Sequence, residues 1–220
     1  MFNVTSNVVV GNTLLAVIHL TSQAVCLWQN NVTANACLDS SNDAAALIVD
    51  AAIPSIFQRN LFNNPSFALE LQYITYASLL NAANNWWGSA SAEVVLARVD
   101  SFASHSGLGL VNLSPYLLSA SLNAAAATIS DTLSGVITQD TTWSTSPVLL
   151  SRNTAVLTGA TLTIDAGVTI KLASGVSLQI SGSLVAIGTA VRPIRFTSES
   201  AATPWRSLVF TAGSAAARLD

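Results

Sequence analysis

Leu162-Thr-Ile-Asp-Ala-Gly-Val-Thr-Ile-Lys-Leu172, continued by Val176-Ser-Leu-Gln-Ile180 and Leu184-Val-Ala-Ile187, is a set of short alternating strands. They are broken only by Asp-Ala-Gly, Ala-Ser-Gly and Ser-Gly-Ser. Apolar residues recur at every second position, as in a strand with one buried face, and no helical period is present. Strands this short, joined by tight bends and with no crossover helix, suit a chain wound into a β solenoid.

A parallel β-helix stacks rungs of roughly 20–25 residues, which places side chains one rung apart above each other. An offset of 22 joins Val25, Leu47 and Leu69, and likewise Leu27, Val49 and Leu71. These two columns lie two residues apart, as alternate residues of one strand should. Ala52, Ile74 and Leu96 keep the same offset, as do Leu162 with Leu184 and Leu172 with Ile194. Leu184 to Leu208 and Ala186 to Phe210 are 24 apart, which fits a longer loop at Ser198–Ser207. Asn42 with Asn64, and Asn63 with Asn85, are expected at bends, where asparagine tolerates left-handed backbone and its amide can bond along a ladder. A β-sandwich or meander would show alternation and turns too, but has no reason to keep one offset over three cycles. The expected class is all-β, a parallel β-helix in two segments.

The remainder of the chain refines that division. Strand-like pieces before residue 116 are Val8–Val10, Leu14–Ile18, Ala24–Trp28, Ala46–Val49, Ile56-Phe57, Ala68–Leu71 and Val94–Val99. Residues 1–116 read as the last rungs of a first solenoid. In 117–135, Leu118, Leu122, Ala126, Ile129 and Leu133 recur about every four positions before Gly135, the pattern of a short helix or of an irregular connector. Residues 136–220 read as the first rungs of a second solenoid.

Composition narrows the function. Charged residues are 9% of the 220 and the net charge is −3, against roughly 25% charged in ordinary soluble domains. Mean hydropathy is +0.53, yet no apolar run reaches the about 18–20 residues of a spanning helix. Insertion into a membrane by this segment is not expected. Lys171 is the one lysine and the arginines are scattered in sequence, which argues against nucleic acid as a partner. Met1-Phe-Asn-Val-Thr has neither the basic region nor the cleavage site of a signal peptide. The chain is expected to be a piece of a longer one.

Cys26 and Cys37 are close enough in sequence to form a disulfide, or to be two core thiols. Sequons stand at Asn3, Asn31 and Asn112, the last followed by Pro115. Asp39 and Asp43, beside Asn42, form the one close carboxylate pair, read as a weak cation site or as a solvated loop. His19 and His105 have no second histidine or cysteine at metal spacing. No catalytic residue, metal site or cofactor is expected. Trp86 and Trp87 are the candidates for stacking on a sugar ring. Adjacent strand residues point to opposite faces, so the other reading has one filling the core and one packing on a loop.

Two groups of motifs carry a resemblance. The first is Asn81-Ala-Ala-Asn-Asn-Trp-Trp-Gly-Ser89, then Val95–Asp100 and Leu113-Ser-Pro-Tyr116. The second is Thr142-Trp143, Gly159-Ala-Thr-Leu-Thr-Ile-Asp-Ala-Gly-Val-Thr-Ile-Lys171, Gly182–Thr189, Pro193-Ile-Arg-Phe-Thr197 and Trp205–Phe210. This order resembles the right-handed parallel β-helix repeats of large surface proteins of the protein bark beetle type. The chain departs from them at Arg206-Ser207-Leu208, where Gly-Gly-Ile is common, and at Ala166, where proline is common. The resemblance implies that the Asn-Trp-Trp-Gly rung closes one helix and the Leu-Thr-Ile-x-x-Gly-Val rung opens the next. It further implies an extracellular or cell-surface structural, adhesion or binding role without catalysis, with glycans or other surface proteins as partners. The other functional reading is a fragment of a polysaccharide lyase or hydrolase whose catalytic rungs lie outside this chain.

Overall fold

The computed structural model describes residues 79–212 without interruption. Outside them it describes the strands between Phe2 and Leu71, residues 29, 30, 60 and 214, and the strand Ala217–Leu219. The chain is all-β in character, built of short strands stacked in parallel sheets. It forms two compact units, Met1–Ile129 and Ser130–Asp220.

In the second unit the chain visits three sheets in rotation. One holds Val136–Ile137, Thr154–Val156, Ser177–Ile180 and Ser207–Phe210. The next holds Thr141–Trp143, Thr161–Ile164, Ser183–Ala186 and Ala217–Leu219. The third holds Val148–Leu150, Thr169–Leu172 and Arg195–Ser198. Every pairing is parallel, and each strand lies against the one a full cycle later. This rotation fits a parallel β solenoid.

Alternation decides which side chains face in. Leu162, Ile164, Ile170, Leu172, Leu184 and Ala186 are buried, while Thr161, Thr163, Thr169, Lys171, Ser183 and Val185, which alternate with them, are half-buried. Together with Val156, Leu178 and Ile180 they form one continuous core. Each fully buried leucine or isoleucine contributes about 1.5–3 kcal/mol of transfer free energy, enough in sum to order strands of four residues.

The first unit has the same plan. Phe2–Thr5, Val25–Trp28, Ile56–Gln58, Leu79–Asn81 and Leu110–Asn112 form a five-stranded parallel sheet. Val8–Val10, Asn31–Thr33 and Leu61–Asn63 form a second. Ala16–Thr21, Ala45–Asp50, Leu69–Leu71 and Val99–Asp100 form a third. The parallel winding gives way where Tyr116–Leu117 pairs antiparallel with Ala126–Ala127. Ile129 N–H donates to Ser114 Oγ at 3.0 Å, so residues 117–129 pack within the first unit. The helix expected in 117–135 is a single turn, Asp131–Ser134, ended by Gly135 in the left-handed region (φ 74°).

Several expected columns are corrected by the register. Leu162 does pair with Leu184, and Val49 with Leu71. Leu27, however, lies against Val4 and Phe57, in a different sheet from Val49. Likewise Val25 pairs with Phe2, whereas Leu47 pairs with Ile18. Leu172 meets Ser198 and not Ile194. Leu208 meets Leu178, 30 positions earlier, and Phe210 meets Ile180; neither continues the column of Leu184 or Ala186. Cycle length varies because the bends differ in length while the strands keep register. Val94–Val99, expected as a strand, is mostly helix: Ala92–Ala97 turns Val95 and Leu96 inward, with Glu93 in its first turn, where a carboxylate suits the helix dipole. Ala52, Ile74, Asn42 and Asn64 lie outside the described residues.

Candidate functional site

Trp86 and Trp87 sit where the second sheet of the first unit gains a further rung. Trp86 N–H donates to Asn60 O at 2.9 Å, and Phe62 N–H donates to Trp86 O at 2.7 Å. One residue thus acts as a strand beside Leu61–Asn63. Trp87 is 0% exposed and stacks on Phe62, with ring centroids 4.9 Å apart and planes 19° from parallel. No face of its ring is open to a sugar. Trp86 is half-buried. The two indole N–H groups are buried and have no hydrogen-bond partner among the described residues. Arg98 Nη1 donates to Trp87 O at 3.2 Å and Tyr116 Oη to Ala90 O at 2.8 Å, fixing the segment that follows Gly88.

The residue before Trp86 belongs to a buried column that the constant offset of 22 missed. Asn30, Asn60 and Asn85 stack through their amides. Asn60 Oδ1 accepts from Asn30 N–H and from Asn30 Nδ2, each at 2.9 Å. Asn85 Oδ1 accepts from Asn60 N–H at 2.8 Å and Asn60 Nδ2 at 3.0 Å. Asn60 Nδ2 also reaches Leu27 O at 3.0 Å, and Asn85 Nδ2 reaches Ala82 O at 2.7 Å. Gln29 and Asn84, which precede two of these asparagines, adopt positive φ of 56° and 58°. That left-handed residue makes the corner, and the asparagine after it satisfies backbone donors that no neighbouring strand reaches. Asn63, expected to stack on Asn85, pairs instead with Thr33.

The other candidates are spread through the first unit. Asn3 lies in Phe2–Thr5, Cys26 in Val25–Trp28, Asn31 at the start of Asn31–Thr33 and Cys37 in Ala36–Cys37. Backbone pairing sets Cys26 beside Asn3 and Ile56, and Cys37 beside Leu14. Asn112 ends Leu110–Asn112, half-buried, and its Oδ1 accepts from Ser114 N–H at 3.1 Å. His19 lies in Ala16–Thr21, and His105 is exposed. Asp39 and Asp43 lie outside the described residues. Among the described residues no three histidines, cysteines or carboxylates converge as a metal site, and no helix is long and apolar enough to cross a membrane.

The outward face of the third sheet of the second unit is where distinct chemistries meet. Register sets Leu149, Lys171 and Thr197 in one outward row, and Thr169 and Arg195 in the next. Leu149 is 51% exposed. Thr169 N–H is held by Ser146 Oγ at 3.0 Å. At the edge of the face, Thr189 and Arg192 exchange backbone hydrogen bonds, both at 3.1 Å, around Ala190-Val191. Arg192 then lies over Gly167 (φ +92°), where an added Cβ would stand 3.2 Å from its Nε. Among the described residues, the carboxylates next to this face are Asp165, at the corner, and Glu199, beyond the end of Arg195–Ser198; both are exposed. Elsewhere in this unit, burial lowers the pKa of the Arg152 guanidinium from its ordinary value.

The sequence reading missed this grouping because Lys171 and Arg195 are far apart along the chain. The alternation was the available signal: Thr169, Lys171, Arg195 and Thr197 are all odd-numbered outward positions of two strands, Thr169–Leu172 and Arg195–Ser198. Compared with known families, with curated proteins and with solved structures, the chain matches none.

Proposed function

We propose that this chain is a non-catalytic structural, adhesion or binding segment of a large extracellular or cell-surface protein, folded as right-handed parallel β-helices. The resemblance of the Asn-Trp-Trp-Gly and Leu-Thr-Ile-x-x-Gly-Val motifs to surface proteins of the protein bark beetle type supports this reading. The observation that carries it is the character of the outward rows on the second unit. Thr142, Thr163 and Val185 align on one sheet, and Leu149, Lys171 and Thr197 on another. Hydroxyl, aliphatic and single cationic groups, repeated from strand to strand over a closed core, make a broad contact surface. These rows hold no carboxylate and no histidine.

The test is to present the purified chain with immobilised glycans and extracellular-matrix proteins, and to assay the same polysaccharides for new reducing ends. Retention without cleavage is the expected result. Cleavage of any bound polysaccharide would replace this reading with that of a polysaccharide-active enzyme.

A further inference from the structure

We infer that the outward face of the sheet Val148–Leu150, Thr169–Leu172 and Arg195–Ser198 binds an acidic polysaccharide. The inference rests on the proposed binding role and names the class of ligand. Three cations meet there. Lys171 lies beside Thr197 and Arg195 beside Thr169, so Lys171 and Arg195 are diagonal neighbours on adjacent strands. A strand separation of about 4.8 Å and a rise of about 3.3 Å per residue put their backbones about 8 Å apart. Both side chains are long enough to reach one ligand. Arg192 joins them from the corner, its guanidinium laid over Gly167, where no Cβ intervenes.

None of the three has a carboxylate partner within 4 Å among the described residues. An arginine left unpaired keeps its planar fork of donors for an external carboxylate or sulfate. Among the described residues, three cations stand against Asp165 and Glu199 at this face, in a chain whose net charge is −3. Leu149, in the same row as Lys171, offers an aliphatic surface on which the C–H face of a sugar ring can rest, and Thr169 and Thr197 offer hydroxyls. Aliphatic, hydroxyl and cationic groups at the fixed spacing of a sheet match a linear chain of sugar acids. A nucleic acid would ask for stacking aromatics, and a membrane surface for a larger cationic patch.

The experiment measures binding of the whole 220-residue chain to polygalacturonate, with neutral dextran, single-stranded DNA and phosphatidylserine vesicles as parallel probes. Polygalacturonate should bind and dextran should not. The affinity should fall as salt rises from about 50 to about 200 mM. Arg192→Ala with Arg195→Ala should weaken binding by roughly tenfold, and Lys171→Gln by a few-fold. All three residues are on the surface, and an unchanged circular dichroism spectrum and melting curve will show that the variants fold. Should the double variant unfold, Arg195→Gln together with Lys171→Gln carries the same test.

The inference is overturned by no binding to polygalacturonate, by equal binding to dextran, or by binding to DNA or vesicles as tight as to polygalacturonate. It is also overturned if folded variants bind polygalacturonate unchanged. Binding accompanied by new reducing ends would overturn the non-catalytic role and leave the ligand assignment standing. Binding of neutral glycans alone would do the reverse.

Discussion

Asn60 donates twice to Asn85: its backbone N–H and its Nδ2 both reach Asn85 Oδ1, at 2.8 and 3.0 Å, across 25 positions of sequence. Both residues are fully buried. A buried amide in this position joins three successive turns of the chain, because its own Oδ1 receives Asn30 in the same manner.

Removing that middle amide is therefore costly. Asn60→Ala removes the Oδ1 that accepts from Asn30 N–H and Nδ2, and the Nδ2 that donates to Leu27 O and Asn85 Oδ1, while Asn85 Oδ1 keeps the backbone N–H of residue 60. At about 1–3 kcal/mol per unsatisfied buried group, the expected loss is about 3 kcal/mol or more. For a chain of this size each kcal/mol lowers the midpoint by about 2–4 °C. Asn112→Ala, at a half-buried position with one local side-chain bond, should cost about 1 kcal/mol or less. Calorimetry of the two variants side by side checks the difference; equal losses would show that the column adds nothing special.

Two glycines of the second unit separate steric from conformational demand. A Cβ on Gly182 would collide with the carbonyl oxygens of Leu157 and Ala160. Val156 O accepts from both Ser181 and Gly182 N–H at that bend, which holds the backbone in place. Gly182→Ala should therefore cost about 3 kcal/mol or more, since only backbone movement can relieve the overlap. Gly175 has open space around its Cβ position and φ of +72°. There alanine meets only the left-handed penalty, about 1 kcal/mol. Urea unfolding should rank the two in this order.

Trp87 carries a large apolar area and an indole N–H with no partner among the described residues. Trp87→Ala would open a cavity beside Phe62 at a cost of about 3–5 kcal/mol. Trp87→Phe keeps a ring against Phe62 and removes the partnerless N–H, so its loss should be about 2 kcal/mol or less. Thermal melts monitored by far-UV circular dichroism give both values. A phenylalanine variant as unstable as the alanine one would contradict this.

Leu162 and Leu184, paired in register and both fully buried, share one space. Each changed singly to alanine should cost about 3 kcal/mol. The double variant should cost less than the sum, since neighbours that share a cavity couple by about 0.5–3 kcal/mol. A double-mutant cycle by chemical denaturation measures the coupling; strict additivity would place the two side chains in separate environments.

The parts of this fold that were legible in sequence are those where a local signal was enough. Thr161–Ile164 and Ser183–Ala186 alternate cleanly, and the short bends between them fix an offset of 22, so the Leu162–Leu184 column was read correctly. The Asn30–Asn60–Asn85 column was missed, although stacked asparagines at bends were expected. Its steps are 30 and 25 positions, and no single period finds both. Residues Val94–Val99 misled because a helix of six residues shows too few turns for its period to stand out. The cationic face was hidden for a related reason. It depends on Thr169 lying opposite Arg195, a step of 26 set by the Thr189–Arg192 turn, whose length no strand pattern predicts.

The rotation of the chain among three sheets also bears on how such a protein folds. Nearly all strand pairings join residues some 19 to 33 positions apart, from Val136 with Ala155 to Leu184 with Ala217. The entropy of closing a loop grows only slowly with its length, so each added strand faces nearly the same closure cost as the one before. Folding can then advance by accretion from an existing edge, and its speed need not fall as such a chain grows longer.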